Sequence, residues 1–195
     1  MHPSSAVTEV IRRRRTIKPN MMDPVRGIPK ELVEELLENA NWAPSHGLTE
    51  PWRFIIFQGA SRKSLANTLQ GLYKEHTSPD DFRPGKVDQL GQRPMEAPMV
   101  IAIAMRRGDR PKIPEIEEIE AVACAVQNMH LSATSQGLGA FWSTPGVLQT
   151  GGMLSFLGLR DIDRCLGLLY LGWPKVGTTW PQGKRKPVAQ KVQWF

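Results

Sequence analysis

The stretch Ile11-Arg12-Arg13-Arg14-Arg15-Thr16-Ile17-Lys18 packs four consecutive arginines and a lysine into eight residues. Charge this dense fits nucleic acid, a solvated basic turn, or one phosphate group of a small ligand. Nucleic-acid binders spread basic residues along a face and interleave aromatics on which bases stack. Here the cluster is compact, and no aromatic follows it until Trp42. A short basic run also matches a nuclear address, a pattern with many chance matches. Charge alone suits a solvated last helical turn. The order Arg14-x-Thr16-x-Lys18 suits a phosphate as well. A guanidinium fork grips phosphate oxygens in pairs, a hydroxyl donates to a third, and the lysine reaches another part of the same ligand.

Two further stretches carry chemistry-bearing residues. In "NWAPSHGLTEPW", residues 41–52, a Pro-Ser-His-Gly turn links a helix to a strand. Turn preference explains Pro, Ser and Gly, and His46 in isolation reads as a loop histidine. No His, Cys or carboxylate stands at metal-ligand spacing from it, so no metal is assigned. In "GLGAFWSTPG", residues 137–146, glycines allow a tight turn or close backbone approach to a ligand. This is not a G-x-G-x-x-G after a strand, so a Rossmann site is not supported. Trp142 fits a core position at a strand end equally well. There is no G-x-S-x-G, and neither Cys124 nor Cys165 has a base nearby in sequence. An enzyme built this way needs a cofactor to carry its chemistry.

The elements that must position these residues can be read from the pattern. A helix is predicted over 7–15, with Thr8 as N-cap and the arginines in its last turn, where cations suit the helix dipole. A second spans 29–41, with Leu32, Val33, Leu36, Leu37 and Ala40 on one face. Strands are expected at 53–58, 98–105, 139–142 and 166–172, and further helices at 61–73 and 115–136. The apolar run "PMVIAIAM" suits a strand buried on both faces. The 115–136 helix is apolar on most sides in its second half and belongs in the middle of the molecule or at a subunit interface. Residues 76–96 are polar with Pro and Gly, and read as a mobile lid or insertion. Helices interleaved with about four strands give an α+β or α/β single domain over 1–195.

Composition agrees. A chain of 195 residues with 41% apolar and 23% charged residues forms a core without staples. A net charge of +6 permits an acidic partner without singling out nucleic acid. Two cysteines in apolar neighbourhoods read as buried thiols in a reducing compartment. With no secretory h-region and no run of about 20 apolar residues, the expectation is a soluble, cytoplasmic protein without a membrane partner.

Taken in order, five segments resemble the nitroreductase family of FMN-dependent flavoproteins: "RRTIK", "WAPSHGLTEPWRFIIF", "AVQNMHLSATSQGLGAFW", "LLYLGWP" and "KRKPVAQKVQW". The short length, and His46 after Pro-Ser, resemble a compact subgroup of NAD(P)H nitroreductases. The resemblance implies a three-layer α-β-α sandwich with a mostly antiparallel sheet, in an interlocked homodimer with FMN at the interface and NAD(P)H as reductant. It implies that Arg14 and Thr16 hold the phosphate and ribityl chain, with Arg15 as an accessory. Lys18 would lie by the pyrimidine side of the flavin, and Lys184 and Arg185 would add charge at the phosphate. Trp42, Ser45 and His46 would come from the other subunit, and Trp142, Ser143 and Thr144 would line the flavin's other side. Glu50 stands where the family usually has Gln, and Leu48 where many members have a polar residue. The implied activity is ping-pong hydride transfer from NAD(P)H to nitroaromatic, quinone or similar flat oxidants, with no nucleic acid as partner. Lys18 and His46 are candidate assistants. Reductive dehalogenation is the alternative within the superfamily; a flavin- or nucleic-acid-binding protein without turnover is the alternative outside it.

Overall fold

The computed structural model describes residues 5–108 and 112–195. Among the described residues, six α-helices and four strands follow one another as α1 (Ala6–Arg13), α2 (Lys30–Asn41), β1 (Trp52–Gln58), α3 (Ser61–His76), α4 (Pro84–Glu96), β2 (Met99–Met105), α5 (Glu115–Ser135), β3 (Gly139–Ser143), α6 (Gly151–Phe156) and β4 (Arg164–Gly172). The strands form one sheet in the order β1-β2-β4-β3, with every neighbouring pair antiparallel.

β2 is buried along its whole length, and its alternating side chains enter two separate cores. Val100 and Ala102 join Leu65, Leu69, Leu72, Leu90 and Met153 beneath α3, α4 and α6. Met99, Ile101, Ile103 and Met105 join Val33, Leu36, Val122, Val126 and Met129 beneath α2 and α5. The period-two alternation of a strand makes this division unavoidable once both faces are covered. The result is the three-layer α-β-α sandwich, with α2 and α5 on one side and α3, α4 and α6 on the other.

Several expectations are refined. α1 ends at Arg13, so Arg14 and Arg15 leave the helix in extended backbone; Ser5, not Thr8, is the N-cap, its hydroxyl accepting from the Thr8 N–H. Cys165 is buried, whereas Cys124 is exposed on the outer side of α5. The segment 76–96, expected as a mobile lid or insertion, contains α4. Pro84 opens that helix, where its missing N–H leaves no bond unmade. Val87, Leu90 and Pro94 then recur on one buried face. Gly91 admits the Gln70 side chain of α3, whose amide donates to the Val87 carbonyl at 3.1 Å. The polar majority of the segment is simply its outer face.

The β3 edge of the sheet carries an added length of chain. The Ile17 N–H donates to the Ala140 carbonyl at 3.1 Å, and Thr16 forms a parallel bridge with Ala140. Ile17 is fully buried over Gly139, where an added Cβ would lie 2.8 Å from its own. Residues 14–18 therefore run along β3 as an extended margin.

Because Leu90 is only 3% exposed, Leu90→Ala should lower the unfolding free energy by about 2–5 kcal/mol. Urea or guanidinium titration reads this as a shift in midpoint. A loss below about 0.5 kcal/mol, typical of a surface position, would show that α4 does not pack as described.

Candidate functional site

The arginine cluster divides among separate tasks. Arg13 donates to the Thr134 carbonyl near the end of α5 at 2.9 Å, and its own carbonyl accepts from the Trp180 indole at 2.8 Å. These two bonds fasten the C-terminal segment beside the exit of α1. Arg12, Arg14 and Arg15 then face Gln127 of α5, Gly183 and Arg185 around a cavity of about 460 Å³. Arg15 is locked by bonds from Nη1 to the carbonyls of Arg12 and Arg14, at 2.6 and 2.7 Å. Gly183 lies flat against its guanidinium, where a Cβ would overlap it.

Among the described residues lining this cavity there is no carboxylate. Burial, and then the charges of Arg185 and Arg15, push the Arg14 guanidinium below its ordinary pKa. Like charges that converge without a counterion make a candidate anion site, while the Arg15 Nε lies buried beside Gly183 without a hydrogen-bond partner. Lys184 does not line the cavity, although its neighbour Arg185 does.

Thr16 is exposed midway along the margin, and Lys18 opens onto a second cavity of about 400 Å³. Four residue steps of extended chain separate Arg14 from Lys18, roughly 13 Å at the usual strand rise. Asp88, Gln89, Gln92, Arg93 and Glu96 of α4 line the second cavity with Phe141 of β3, so two carboxylates face it beside the cations, and the Arg93 guanidinium stands 5.5 Å from the centre of the Phe141 ring. The sequence pattern assigned none of these side chains. The helical repeat Val87, Leu90, Pro94 was the available signal, since it turns 89, 92 and 93 toward another side.

Phe141, rather than Trp142, is the β3 aromatic that reaches this cavity. Trp142 packs with the α2 and α5 core and donates to the Leu166 carbonyl at 3.2 Å. Leu166 belongs to a bulge in β4, between the pairs Ile103–Gly167 and Ala104–Cys165. A side chain at Gly167 would collide with the Trp142 indole. Ser143 is half-buried at the end of β3, and Thr144 is exposed beyond it.

Trp42, Ser45 and His46 lie elsewhere. The Trp42 indole donates to Glu38 at 2.9 Å, while its ring is 78% exposed. The Ser45 hydroxyl accepts from the Glu50 N–H, and His46 Nδ1 stands 2.5 Å from Glu117 Oε2 of α5. Gly47, Leu48 and Glu50 all have positive φ, a conformation that strains the two non-glycine residues. Glu117 and Gln127 are about 15 Å apart along the axis of α5 at the standard helical rise. A single chain thus joins Arg14, Arg15 and Arg185, sets Lys18 further along the same extended segment, and holds His46 against Glu117 in the first turn of α5.

That other end is rigidly built. Arg107 donates to Glu118, which is 2% exposed, at 2.8 Å, and to the Ile113 carbonyl at 2.5 Å. Glu115 pairs with Arg164 at 2.8 Å. Asp163 accepts from the Arg107 N–H at 3.0 Å and from Arg160. Burial alone would raise the Asp163 carboxyl, but the hydrogen bonds from Arg160 and Arg107 outweigh it and hold the group below its usual range.

A three-layer sandwich around a four-stranded antiparallel sheet places the chain among the α+β proteins. More narrowly, the chain belongs to the nitroreductase family, whose model, described as "Nitroreductase family", matches residues 11–173. It is 27% identical over 175 residues to the "Putative NAD(P)H nitroreductase YfhC" of Bacillus subtilis, covering 89% of this chain and 87% of that one. A nitroreductase-like family protein from Bacillus cereus has the same fold, with a TM-score of 0.83 and 27% identity over 100% of this chain and 98% of the other. A nitroreductase with bound FMN from Bacteroides fragilis superposes with a TM-score of 0.72 at 23% identity, over 98% of this chain and all of the other.

A buried histidine beside the anion site gives a pH signature. His130 of α5 is 6% exposed, its Nδ1 has no partner, and burial followed by the Arg14 charge pushes its pKa down to about 4. The unfolded chain binds this proton near pH 6.5, so folding stability is complete above that pH and drains away as the pH falls toward 4. Thermal unfolding should show a loss of about 2–3 kcal/mol across the window. His130→Leu should flatten it, and an unchanged slope in that variant would remove His130 as its source.

Proposed function

We propose that the chain is an FMN-dependent oxidoreductase that takes hydride from NAD(P)H and delivers it to a nitroaromatic, quinone or similar flat oxidant. The observation that carries this reading is the convergence of Arg14, Arg15 and Arg185 on a cavity without a carboxylate, joined by one extended segment to the cavity of Lys18 and Phe141. The cation set fits a phosphate, the exposed Thr16 hydroxyl between the cavities fits a polyol chain, and the Lys18 cavity fits a flat heterocycle. FMN has these three parts in that order. The bound FMN of the Bacteroides fragilis structure and the name of the Bacillus subtilis relative support the choice of cofactor and reductant.

FMN, when bound, supplies the hydride acceptor and donor. The protein's own residues bind and orient. Arg14, Arg15 and Arg185 hold the phosphate, with Lys184 adding charge from solvent. Lys18 offsets negative charge that develops at the pyrimidine edge during reduction, the kind of preorganised charge that contributes a few kcal/mol. Gln89, Gln92 and Arg93 offer donors and acceptors to the same edge, and Ser143 and Thr144 close the margin beyond Phe141. His46 meets Glu117, about 15 Å along α5 from Gln127 at the anion site, and in this reading a second copy brings Trp42, Ser45 and His46 over the flavin of the first. The working unit is accordingly a homodimer. The exposed apolar side chains of its C-terminal segment, Val192, Trp194 and Phe195, suit burial against that copy.

The purified protein should be yellow with FMN and elute as a dimer. Arg14→Ala and Arg185→Ala should each weaken FMN binding about tenfold or more, the worth of a charged hydrogen bond. Lys18→Ala should keep FMN but be reduced more slowly by NAD(P)H in stopped flow; equal rates for variant and parent would sink the role of Lys18. NAD(P)H oxidation stimulated by a nitroarene or quinone supports turnover, while turnover only with a halophenol moves the reading to dehalogenation. A colourless preparation that refuses FMN and shifts DNA overturns it.

A further inference from the structure

His46 is held in an unusual way for an exposed loop residue. Its Nδ1 lies 2.5 Å from Glu117 Oε2, although the two residues belong to different elements, 71 positions apart. Both sides of the contact are fixed. The loop carries positive φ at Gly47, Leu48 and Glu50, and the Ser45 hydroxyl ties it across to the Glu50 N–H. Gly47 rests on the Ile113 side chain. Glu117 sits in the first turn of α5, which the Arg107–Glu118 pair and the Glu115–Arg164 pair pin to the chain just after β2 and to β4. A carboxylate bonded to one ring nitrogen sets the tautomer and leaves the other nitrogen facing outward. His46 remains 62% exposed in the single chain, so Nε2 is free to meet something beyond it.

We propose that His46 is the proton donor to the oxidant and that Glu117 is the residue that positions it. This rests on the proposed dimeric flavin site, in which the 42–50 loop covers the flavin of a second copy. Reduction of a quinone needs a hydride and a proton. The hydride and its electron pair come from the reduced flavin and form the first new bond to the substrate. Negative charge collects on the quinone oxygen that did not receive it. The Nε2–H bond of the His46 imidazolium breaks, the proton forms the second O–H bond, and the product leaves as hydroquinone. His46 is left neutral, still bonded to Glu117 through Nδ1–H, and regains its proton from water. Trp42 and Leu48, 78% and 84% exposed on the same loop, supply apolar surface for a flat ring beside the histidine.

The test compares FMN-loaded parent, His46→Gln and Glu117→Gln, each reduced anaerobically and then mixed with a quinone or with ferricyanide, which accepts electrons without taking a proton. In His46→Gln the quinone rate should fall about 100-fold more than the ferricyanide rate, the usual worth of a positioned general acid. Glu117→Gln should show a smaller selective loss and an altered pH profile for the quinone alone. Independently of turnover, ¹⁵N spectra should show one Nδ1–H tautomer for neutral His46 in the parent and a mixture in Glu117→Gln. Equal losses with both oxidants, or a single tautomer in both proteins, would reduce the pair to a structural tether and overturn the assignment. A parent that takes up no FMN overturns the flavin reading itself, which the ratio of the two oxidants does not address.

Discussion

The Ile17 side chain fills the space above Gly139, and its N–H donates to the Ala140 carbonyl. This small contact fixes five residues of extended chain against the margin of the sheet. Its consequence is directional. In an extended segment alternate side chains point the same way, so burying Ile17 turns Thr16 and Lys18 outward together. Arg14 then lies one cavity away from Lys18 with no further device needed. A side chain at position 139 would lift the segment and separate the two cavities from the core that aims them.

Electrostatics is arranged in opposite senses along α5. Toward its C-terminal half, cations gather around a cavity that no carboxylate lines among the described residues, and Arg14 and His130 both lose proton affinity there. At its N-terminal turn, Arg107, Arg160 and Arg164 are matched by Glu115, Glu118 and Asp163. A matched network holds shape, whereas an unmatched one holds a site open to an anion. Removing one member of the buried Arg107–Glu118 pair would leave an uncompensated charge in the interior, a far larger cost than the pair's net contribution. The network thus fastens the helix end that presents Glu117 to His46.

α4 links the two themes. Its apolar stripe belongs to the core under β2 and β4, and its polar residues Gln89, Gln92 and Arg93 wall the Lys18 cavity. A helix that packs on one side and lines a site on the other transmits any change of packing into the geometry of that site. The substitution-sensitive neighbour is Gly91, which α3 approaches through Gln70.

The strands and one-faced helices of an α+β or α/β domain were legible in the amino-acid order, because apolar runs and helical periodicity mark the elements, whereas their layering as a sandwich was implied by the family resemblance. The alternate spacing of Arg14, Thr16 and Lys18 was legible too, as a candidate phosphate-binding pattern, since spacing in an extended segment survives whatever the chain does around it. Everything that depends on contacts distant in the chain was left to the folded molecule. Arg13 finds its partners only where Thr134 and Trp180 close on it, and Arg185 meets Arg14 across the cavity beside that closure. α4 was hidden because its core face occupies few positions and Pro84, Gly85 and Gly91 mimic a loop. Trp142 and Phe141 are adjacent, and only the pairing register and the bulge at Gly167 chose which of them faces the cavity. His46 read in isolation was a loop histidine, and only the family resemblance made it a candidate. Its pairing with Glu117 exists because tertiary packing brings two elements together, a distance that no local pattern encodes.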